Sequence, residues 1–176
     1  MRKVEVVPHD PKWREVFEIE SKRVTEALGE NVVAIHQIGS TAIPGIYAKP
    51  IIDLLVEVKD IVLVDGQNAS MESLGYEVMG EFGMAGRRYF RKDNLEGIRT
   101  HHIHTFHVGS EQVERNKAFR DYMIAHPEDA QRYSELKRRL ARENPTNIDG
   151  YMEGKDEFIR EMDKKAAQWR TRQMGQ

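Results

Sequence analysis

The chain has 176 residues, of which 39% are apolar and 32% are charged, and its formal net charge is −2. This length and composition fit a compact globular domain and exclude a disordered chain. Because the charges nearly balance, duplex nucleic acid is a disfavoured partner, and any anion must be bound by a local patch. The absence of cysteine excludes a disulfide framework, a thiolate zinc site and a cysteine nucleophile. No apolar run approaches the ~20 residues that span a bilayer, which predicts a soluble, cytoplasmic protein without a membrane partner.

The predicted elements begin with a helix and two strands. Asp10 is the predicted N-cap, Pro11 is the first helical position, and apolar residues then recur at helical spacing as far as the predicted C-cap Gly29. Residues 31–39 (NVVAIHQIG) and 49–58 (KPIIDLLVEV) predict strands. The second of these is almost entirely apolar, which is typical of a central strand.

The middle of the chain predicts a helix, a short strand and a hairpin. Residues 62–74 predict the helix, although Gly66 weakens it, and residues 76–80 predict the short strand. Two strand-like runs within residues 86–109 flank the sequence DNLEG, whose composition is typical of a hairpin turn.

The last third of the chain predicts a helical region. Pro127 begins one predicted helix, and NPTN separates it from the next. The three predicted helices cover 111–126, 127–143 and 149–169. The predicted fold class is therefore α/β (α+β), with a mixed-sheet core over 1–109 and a helical extension over 110–176 of a single domain.

An aspartate interrupts the most apolar strand. Asp53 stands among Ile51, Ile52, Leu54 and Leu55, and a buried carboxylate is costly unless it is paired, hydrogen-bonded or bound to a metal. The strand before it ends in Gly39 and Ser40. The question raised by the sequence is what compensates the carboxylate.

This order of strand, Gly-Ser turn, loop and acidic strand resembles the nucleotidyltransferase superfamily, whose best-known member is DNA polymerase beta. The resemblance implies that Asp53 is catalytic and holds a divalent metal such as Mg²⁺ or Mn²⁺, which neutralises charge at the transferring phosphoryl group. It also implies that Gly39, Ser40 and Thr41 bind a nucleoside triphosphate. The glycine allows close backbone approach, and the hydroxyl and exposed amides bind phosphate oxygens.

A closer resemblance, over nearly the whole chain, is to the GrpB-like family, which is related by fold to the nucleotidyltransferases. This resemblance implies a nucleotidyltransferase-like mixed β-sheet flanked by helices, and leaves the reaction open. It also extends to an accessory domain fused to some dephospho-coenzyme A kinases. The shared blocks are HQIGSTAIPGIYAKPIIDLLVEV, RRYF, HHIHTFHV, FRDYMIAHPEDAQRYSELKRRLA and YMEGKDEFI.

One position departs from the superfamily pattern of two acids at i and i+2. Leu55 occupies i+2, and the next acid, Glu57, lies roughly 13 Å along the strand from Asp53 at ~3.3 Å per residue. The two metals of a two-metal site lie only ~3.5–4 Å apart. Glu57 therefore cannot replace the missing carboxylate without a bulge.

Four histidines fall within seven residues of THHIHTFHV. In a strand, His102 and His104 share one face, and they reach Asp53 if the two strands pair directly. The three side chains would then form a metal site, and its imidazoles favour Mn²⁺, Fe²⁺, Ni²⁺ or Zn²⁺ over Mg²⁺. The alternative is a polar edge strand with exposed histidines, which is the interpretation we favour for His101 and His107.

Basic residues supply further candidates for phosphate binding. Arg87 and Arg88 lie in GRRYFRK, where one planar guanidinium can clamp a phosphate, and the alternative is a solvated edge strand. Lys49 lies in the block that resembles the family and is predicted to reach phosphate. Arg120, Lys137, Tyr151 and Lys155 lie in other blocks that resemble the family, and they are candidates only to line the cleft from the helical side, against the alternative of solvated helix faces.

These observations leave two main hypotheses. The first is a metal-dependent nucleotidyltransferase-like enzyme that binds a small-molecule nucleotide, with an unknown acceptor. The second is a non-catalytic accessory domain of the same fold that binds a nucleotide, a coenzyme or a protein, which the leucine at position 55 favours. A hydrolase that uses histidine-bound metal is a third class, supported by the histidine cluster alone.

Overall fold

The computed structural model describes residues 3–175 and arranges them as two compact units. The sheet unit contains residues 11–38 and 51–114, and the helical unit contains residues 3–10, 39–50 and 115–175. The sequence predicted one boundary near residue 109, whereas the loop 39–50 belongs to the helical unit. The reason is that its Ile43 and Ile46 are buried in the core of that unit.

Within residues 3–175, the sheet unit contains one mixed sheet of five strands in the order β1-β2-β5-β4-β3. The parallel pair is β2 with β5, and the other neighbours are antiparallel. The strands are β1 (Val32–Ile38), β2 (Ile52–Val58), β3 (Tyr76–Val78), β4 (Arg88–Asp93) and β5 (Arg99–His107). The structure confirms the predicted hairpin across DNLEG and the interior position of the apolar strand.

The helices of the sheet unit differ from the prediction at two points. α1 (Lys12–Leu28) begins one residue late, because Pro11 is already the N-cap in αR conformation and no side chain caps the helix. The single predicted helix over 62–74 is wrong, since the chain forms α2 (Val62–Asp65) and α3 (Asn68–Ser73). The N–H groups of Gly66 and Gln67 bond to carbonyls three residues back, which ends α2 in a tight turn.

The sheet has two distinct faces. On one face, Lys92 and Tyr76 bond to the buried carboxylate of Glu20 in α1. On the other face lies an apolar cluster of buried residues, which consists of Ile38, Leu55, Phe106 and Val113. Because side chains alternate along a strand, Asp53, His102 and His104 share the face of Leu55 and Phe106.

The helical unit contains α4 (Glu111–Ala125, whose first turn belongs to the sheet unit), α5 (Pro127–Glu143) and α6 (Ile148–Met174), as predicted. The loop 39–50 is held to α5 by a hydrogen bond from the Tyr47 amide to Ser134 Oγ at 2.9 Å. Gly154 lets α6 approach α5 closely, since a Cβ there would lie 2.4 Å from Leu140 Cδ2. None of the helices within 3–175 is long and apolar enough to cross a membrane.

Candidate metal centre

The pairing of β2 with β5 sets the geometry of the candidate site. The parallel register places Asp53 opposite His102 and Leu55 opposite His104. The two strands therefore pair directly, as the metal-site prediction required. Sheet alternation then directs the carboxylate and both imidazoles to one face.

The three side chains meet at one carboxylate oxygen. Asp53 Oδ1 lies 3.3 Å from His102 Nδ1 and 3.3 Å from His104 Nε2, and each side chain is 22–23% exposed. One potential ligand atom from each residue lies within 4.8 Å of the other two, and this is the one group of its kind among residues 3–175. Two imidazoles and one carboxylate form a ligand set suited to a divalent transition metal.

The electrostatics keep Asp53 ionised. Burial acts to raise the pKa of Asp53, but the hydrogen bonds and positive charge of His102 and His104 outweigh it. The net effect holds the pKa well below the usual range of an aspartate. A carboxylate that stays ionised at neutral pH is ready to accept a hydrogen bond or a metal ion.

Arg99 touches the opposite nitrogen of one imidazole. Its Nη1 lies 3.4 Å from His102 Nε2. A guanidinium only donates, so a hydrogen bond between them requires Nε2 to accept, which is the tautomer with the ring proton on Nδ1, the atom beside Asp53. If Nδ1 instead coordinated a metal, the proton would move to Nε2 and the contact with Arg99 would be lost. Arg99 is therefore a competitor of metal binding at His102.

Tyr89 lies beside the two imidazoles and is not among the site residues predicted from the sequence. The β4–β5 register places Tyr89 opposite His104, and its ring centroid lies 5.4 Å from His104 and 5.7 Å from His102. Tyr89 is buried, and burial raises its pKa. A regular count back from the DNLEG turn would place Tyr89 opposite Ile103, and the register shift between Lys92 and Asp93 moves it opposite His104.

The structure places the two candidate arginines on opposite faces. The Arg87 guanidinium lies 4.8 Å from the Tyr89 ring centroid and donates to the carbonyl oxygens of Glu81 and Phe82. Arg88 forms a two-pronged pair with Asp65, at 2.7 and 3.2 Å. Of these two arginines, Arg87 is therefore the one that lies beside Tyr89, the aromatic neighbour of His102 and His104.

The other acid and histidine candidates of the sheet have different surroundings. Glu57 Oε2 lies 2.5 Å from His36 Nε2, and neither residue joins the three-residue group at Asp53. Leu55, at the position of the missing acid, is fully buried. His101 lies on the face of Glu20, and burial lowers its pKa to about 4, while His107 is exposed.

The predicted phosphate-binding residues Gly39, Ser40, Thr41 and Lys49 lie in the helical unit. Ser40–Ala42 form a 3₁₀ turn whose N-cap is Gly39, at a positive φ of 74° that favours glycine. Ser40 is thus the first residue of the turn and not its N-cap. The Lys49 ammonium lies 5.3 Å from the Tyr151 ring centroid.

The fold and the site define an α+β protein whose mixed sheet carries a carboxylate–imidazole group. The family described as GrpB protein matches residues 3–165, and the chain belongs to this family. UPF0157 protein YqkA from Bacillus subtilis is 44% identical over 169 residues, which cover 96% of this chain and 49% of that protein. The chain thus spans about half the length of YqkA.

Comparison with solved structures shows which known folds this chain resembles. The conserved protein GrpB from Enterococcus faecalis superposes with a TM-score of 0.88 at 43% identity, over 92% of this chain and 96% of that chain. This match confirms the predicted fold class. The Cid1 poly(U) polymerase gives a TM-score of 0.46 at 7% identity, over 74% of this chain and 43% of that chain.

Proposed function

We propose that this protein is a metal-dependent nucleotidyltransferase-like protein that binds a nucleoside triphosphate and transfers a nucleotidyl group to an acceptor. The observation that carries the proposal is the convergence of His102 and His104 on Asp53 Oδ1. A bound cation would account for an ionised carboxylate in an apolar strand, because the cation would offset the cost of burying the negative charge. The group lies on the strand where the resemblance expects the catalytic carboxylate.

The ligand set favours one transition metal over a pair of Mg²⁺ ions. Two imidazoles suit Mn²⁺, Fe²⁺, Ni²⁺ or Zn²⁺ better than Mg²⁺. The second carboxylate that would share another ion is replaced by the buried Leu55. We therefore assign a single divalent ion to the ligands Asp53, His102 and His104.

In this proposal the bound metal supplies charge neutralisation at the transferring phosphoryl group. Asp53 contributes a fixed negative charge, and the two imidazoles contribute neutral ligands. Gly39, Ser40, Thr41 and Lys49 keep the phosphate-binding role that the resemblance implies. Of the arginines, Arg87 is the better candidate, because Arg88 already holds Asp65 with both prongs.

A second candidate function is supported by Leu55. A strand with one acid in place of two fits a non-catalytic accessory domain that binds a nucleotide, a coenzyme or a protein. Such a domain would bind its ligand with little dependence on metal. The same experiment separates the two candidates.

The experiment is thermal unfolding of the wild type, Asp53→Asn and the control Glu72→Gln, which changes an exposed acid on α3. Each protein is heated with each nucleoside triphosphate, in the absence of metal and with Mg²⁺, Mn²⁺ or Zn²⁺. A ligand at 100 times its Kd adds about 2.7 kcal/mol to the free energy of unfolding. We expect stabilisation that requires metal, is lost in Asp53→Asn and is kept in Glu72→Gln.

Two other outcomes would count against catalysis. Stabilisation by a triphosphate without metal, retained in Asp53→Asn, would support the accessory domain. No stabilisation of the wild type under any condition would remove the nucleotide from the proposal. Where metal-dependent binding is seen, release of pyrophosphate from the triphosphate then measures transfer directly.

A further inference from the structure

Three lysines surround two tyrosine rings inside the helical unit, and we call this group the lysine–tyrosine cluster. The Lys137 ammonium lies 4.4 Å from the Tyr133 ring centroid. The Lys155 and Lys49 ammonium groups lie 4.7 and 5.3 Å from the Tyr151 ring centroid. Lys137 is 1% exposed, Lys155 is 8% exposed and Tyr151 is fully buried. The half-buried Lys49 gives the cluster a side open to solvent.

Two polar atoms of the lysine–tyrosine cluster have no hydrogen-bond partner in the part of the chain that the structure describes. They are Lys137 Nζ and the Tyr151 hydroxyl oxygen, and both are buried. Buried polar groups in folded proteins are nearly always hydrogen-bonded, and an unsatisfied one costs free energy. An ammonium group has only donors, and a hydroxyl can donate. Among the described residues, Lys137 Nζ and the Tyr151 hydroxyl therefore each lack an acceptor.

The charges of the cluster point to a negative ligand. Burial lowers the pKa of Lys137, and the positive charges of Lys155 and Lys49 lower it further, to about 6. Within residues 3–175, no carboxylate is among the groups that shift the pKa of Lys137. A negative charge placed among the three amines would be stabilised by all of them, and it would restore the ammonium form of Lys137.

We propose that Lys49, Lys137, Lys155 and Tyr151 bind the phosphate group of a small phosphorylated molecule. A phosphate offers several acceptor oxygens and up to two negative charges, which match three amines and one hydroxyl. The deep burial of Lys137 and Lys155 favours a terminal phosphate over the backbone of a nucleic acid. This site shares Lys49 with the phosphate-binding residues of the proposed function, but it is argued from contacts within the helical unit and does not rest on the transfer reaction.

Binding at this site has a protonation signature. Lys137 is mostly neutral at pH 7.5 in the free protein, and its bond to phosphate is strongest in the ammonium form. Phosphate binding should therefore be coupled to uptake of up to one proton by the protein. A solvated patch of lysines, which are protonated already, would take up none.

The test is isothermal titration of the full chain with inorganic phosphate and with pyrophosphate at pH 7.5, without divalent metal, in two buffers of different ionisation enthalpy. We expect saturable binding whose proton uptake exceeds that of Lys137→Met. Lys137→Met should also lower the affinity by about tenfold or more, since it removes a charged donor. Tyr151→Phe should lower it less and keep the proton uptake.

The matched control is Lys164→Met, which removes an exposed lysine from α6 and should bind phosphate like the wild type. Absence of saturable binding, or equal affinity and equal proton uptake in the wild type and Lys137→Met, would overturn the site. Circular dichroism verifies the fold of each variant. If phosphate binds as expected but the triphosphate experiment on Asp53 fails, only the proposed function is overturned. If the triphosphate experiment succeeds but phosphate does not bind as expected, only this site is overturned.

Discussion

Each of the two units buries an ionisable side chain, but within residues 3–175 only the sheet unit supplies hydrogen-bond partners for it. In the sheet unit, Glu20 is 2% exposed, accepts a hydrogen bond from the Tyr76 hydroxyl at 2.6 Å and pairs with Lys92. In the helical unit, Lys137 is 1% exposed and its Nζ has no hydrogen-bond partner among the described residues. The first charge is compensated by its own fold, so it is structural. The second is not compensated, which is why we assign it a ligand.

The group at Asp53 lies between these extremes. Its carboxylate is compensated by two imidazoles, yet all three side chains retain about a fifth of their exposure. Compensation without full burial leaves the group accessible to a metal ion. Substitutions at these three places test whether each charged group stabilises the fold or binds a ligand.

The largest effect is expected from Glu20→Gln. Removing one partner of a buried ion pair costs about 3–5 kcal/mol, because it leaves the other charge uncompensated, here Lys92 with 15% exposure. Urea denaturation of the wild type and variant measures this cost. The control is Glu18→Gln on the same helix, whose pair with Arg14 is exposed and should contribute about 0–1 kcal/mol. A loss of similar size in both variants would show that Glu20 is not a structural charge.

Lys137→Met is expected to raise the free energy of unfolding, whereas Glu20→Gln lowers it. The pKa of Lys137 is about 6 in the folded protein, below its ordinary value in the unfolded chain, so at neutral pH the unfolded state binds a proton that the folded state lacks. Replacing the lysine removes this cost, and the variant should be more stable at pH 7 by a few kcal/mol, at ~1.4 kcal/mol per pKa unit.

The pH dependence provides the check on that gain. Wild-type stability should rise as pH increases from about 6 toward 10, because over this interval the unfolded lysine binds a proton that the folded lysine lacks, and that proton costs more to bind as pH increases. The advantage of Lys137→Met, measured by urea denaturation, should shrink over the same interval. Lys164→Met, an exposed substitution on α6, should show neither the gain nor its pH dependence. A gain that is constant with pH would mean that Lys137 is already charged in the folded state.

The next effect concerns metal affinity at the candidate metal centre. His102→Gln removes one of three proposed ligands and should weaken Mn²⁺ or Zn²⁺ binding by at least the roughly 10-fold to 100-fold that loss of a ligand's supporting partner costs. Titration calorimetry on the wild type and variant gives the ratio. His107→Gln on the same strand is the control, because this histidine is exposed and lies outside the three-residue group. Equal affinity of the wild type and His102→Gln would exclude His102 as a ligand.

Much of the sheet could be predicted because short sequence patterns determine its strands and its hairpin turn. The alternation of β5 and the turn sequence before it gave the faces of His102 and His104, and the apolar run of β2 gave its interior position. The break after Asp65 was missed, because the tight turn that ends α2 depends on a few local backbone hydrogen bonds. The place of loop 39–50 was missed because burial of Ile43 and Ile46 depends on helices more than 60 residues further along the chain.

The buried charges were harder to recognise, although each leaves a signal. Glu20 lies on the helical stripe of buried residues that includes Phe17 and Val24, and Lys137 lies on the stripe that includes Tyr133 and Leu140. A charged residue on an apolar stripe indicates burial. The sequence does not show what compensates it, because Lys92 and Tyr76 of the Glu20 network come from distant strands. Whether a buried charge is structural or binds a ligand is therefore decided by tertiary contacts.

The smallest effect is expected from Arg99→Met. Metal coordination through His102 Nδ1 puts the proton of the neutral ring on Nε2, where Arg99 Nη1 now lies at 3.4 Å. Removing the guanidinium removes both this competing donor and a positive charge near the ion, so Mn²⁺ or Zn²⁺ affinity should rise by several-fold. Arg99 also pairs with Asp93 at 2.5 Å, so Asp93→Asn is the control, which breaks that pair but keeps the cation. A rise in Arg99→Met alone would show that Arg99 restrains His102, whereas a fall would show that it orients His102 for the metal.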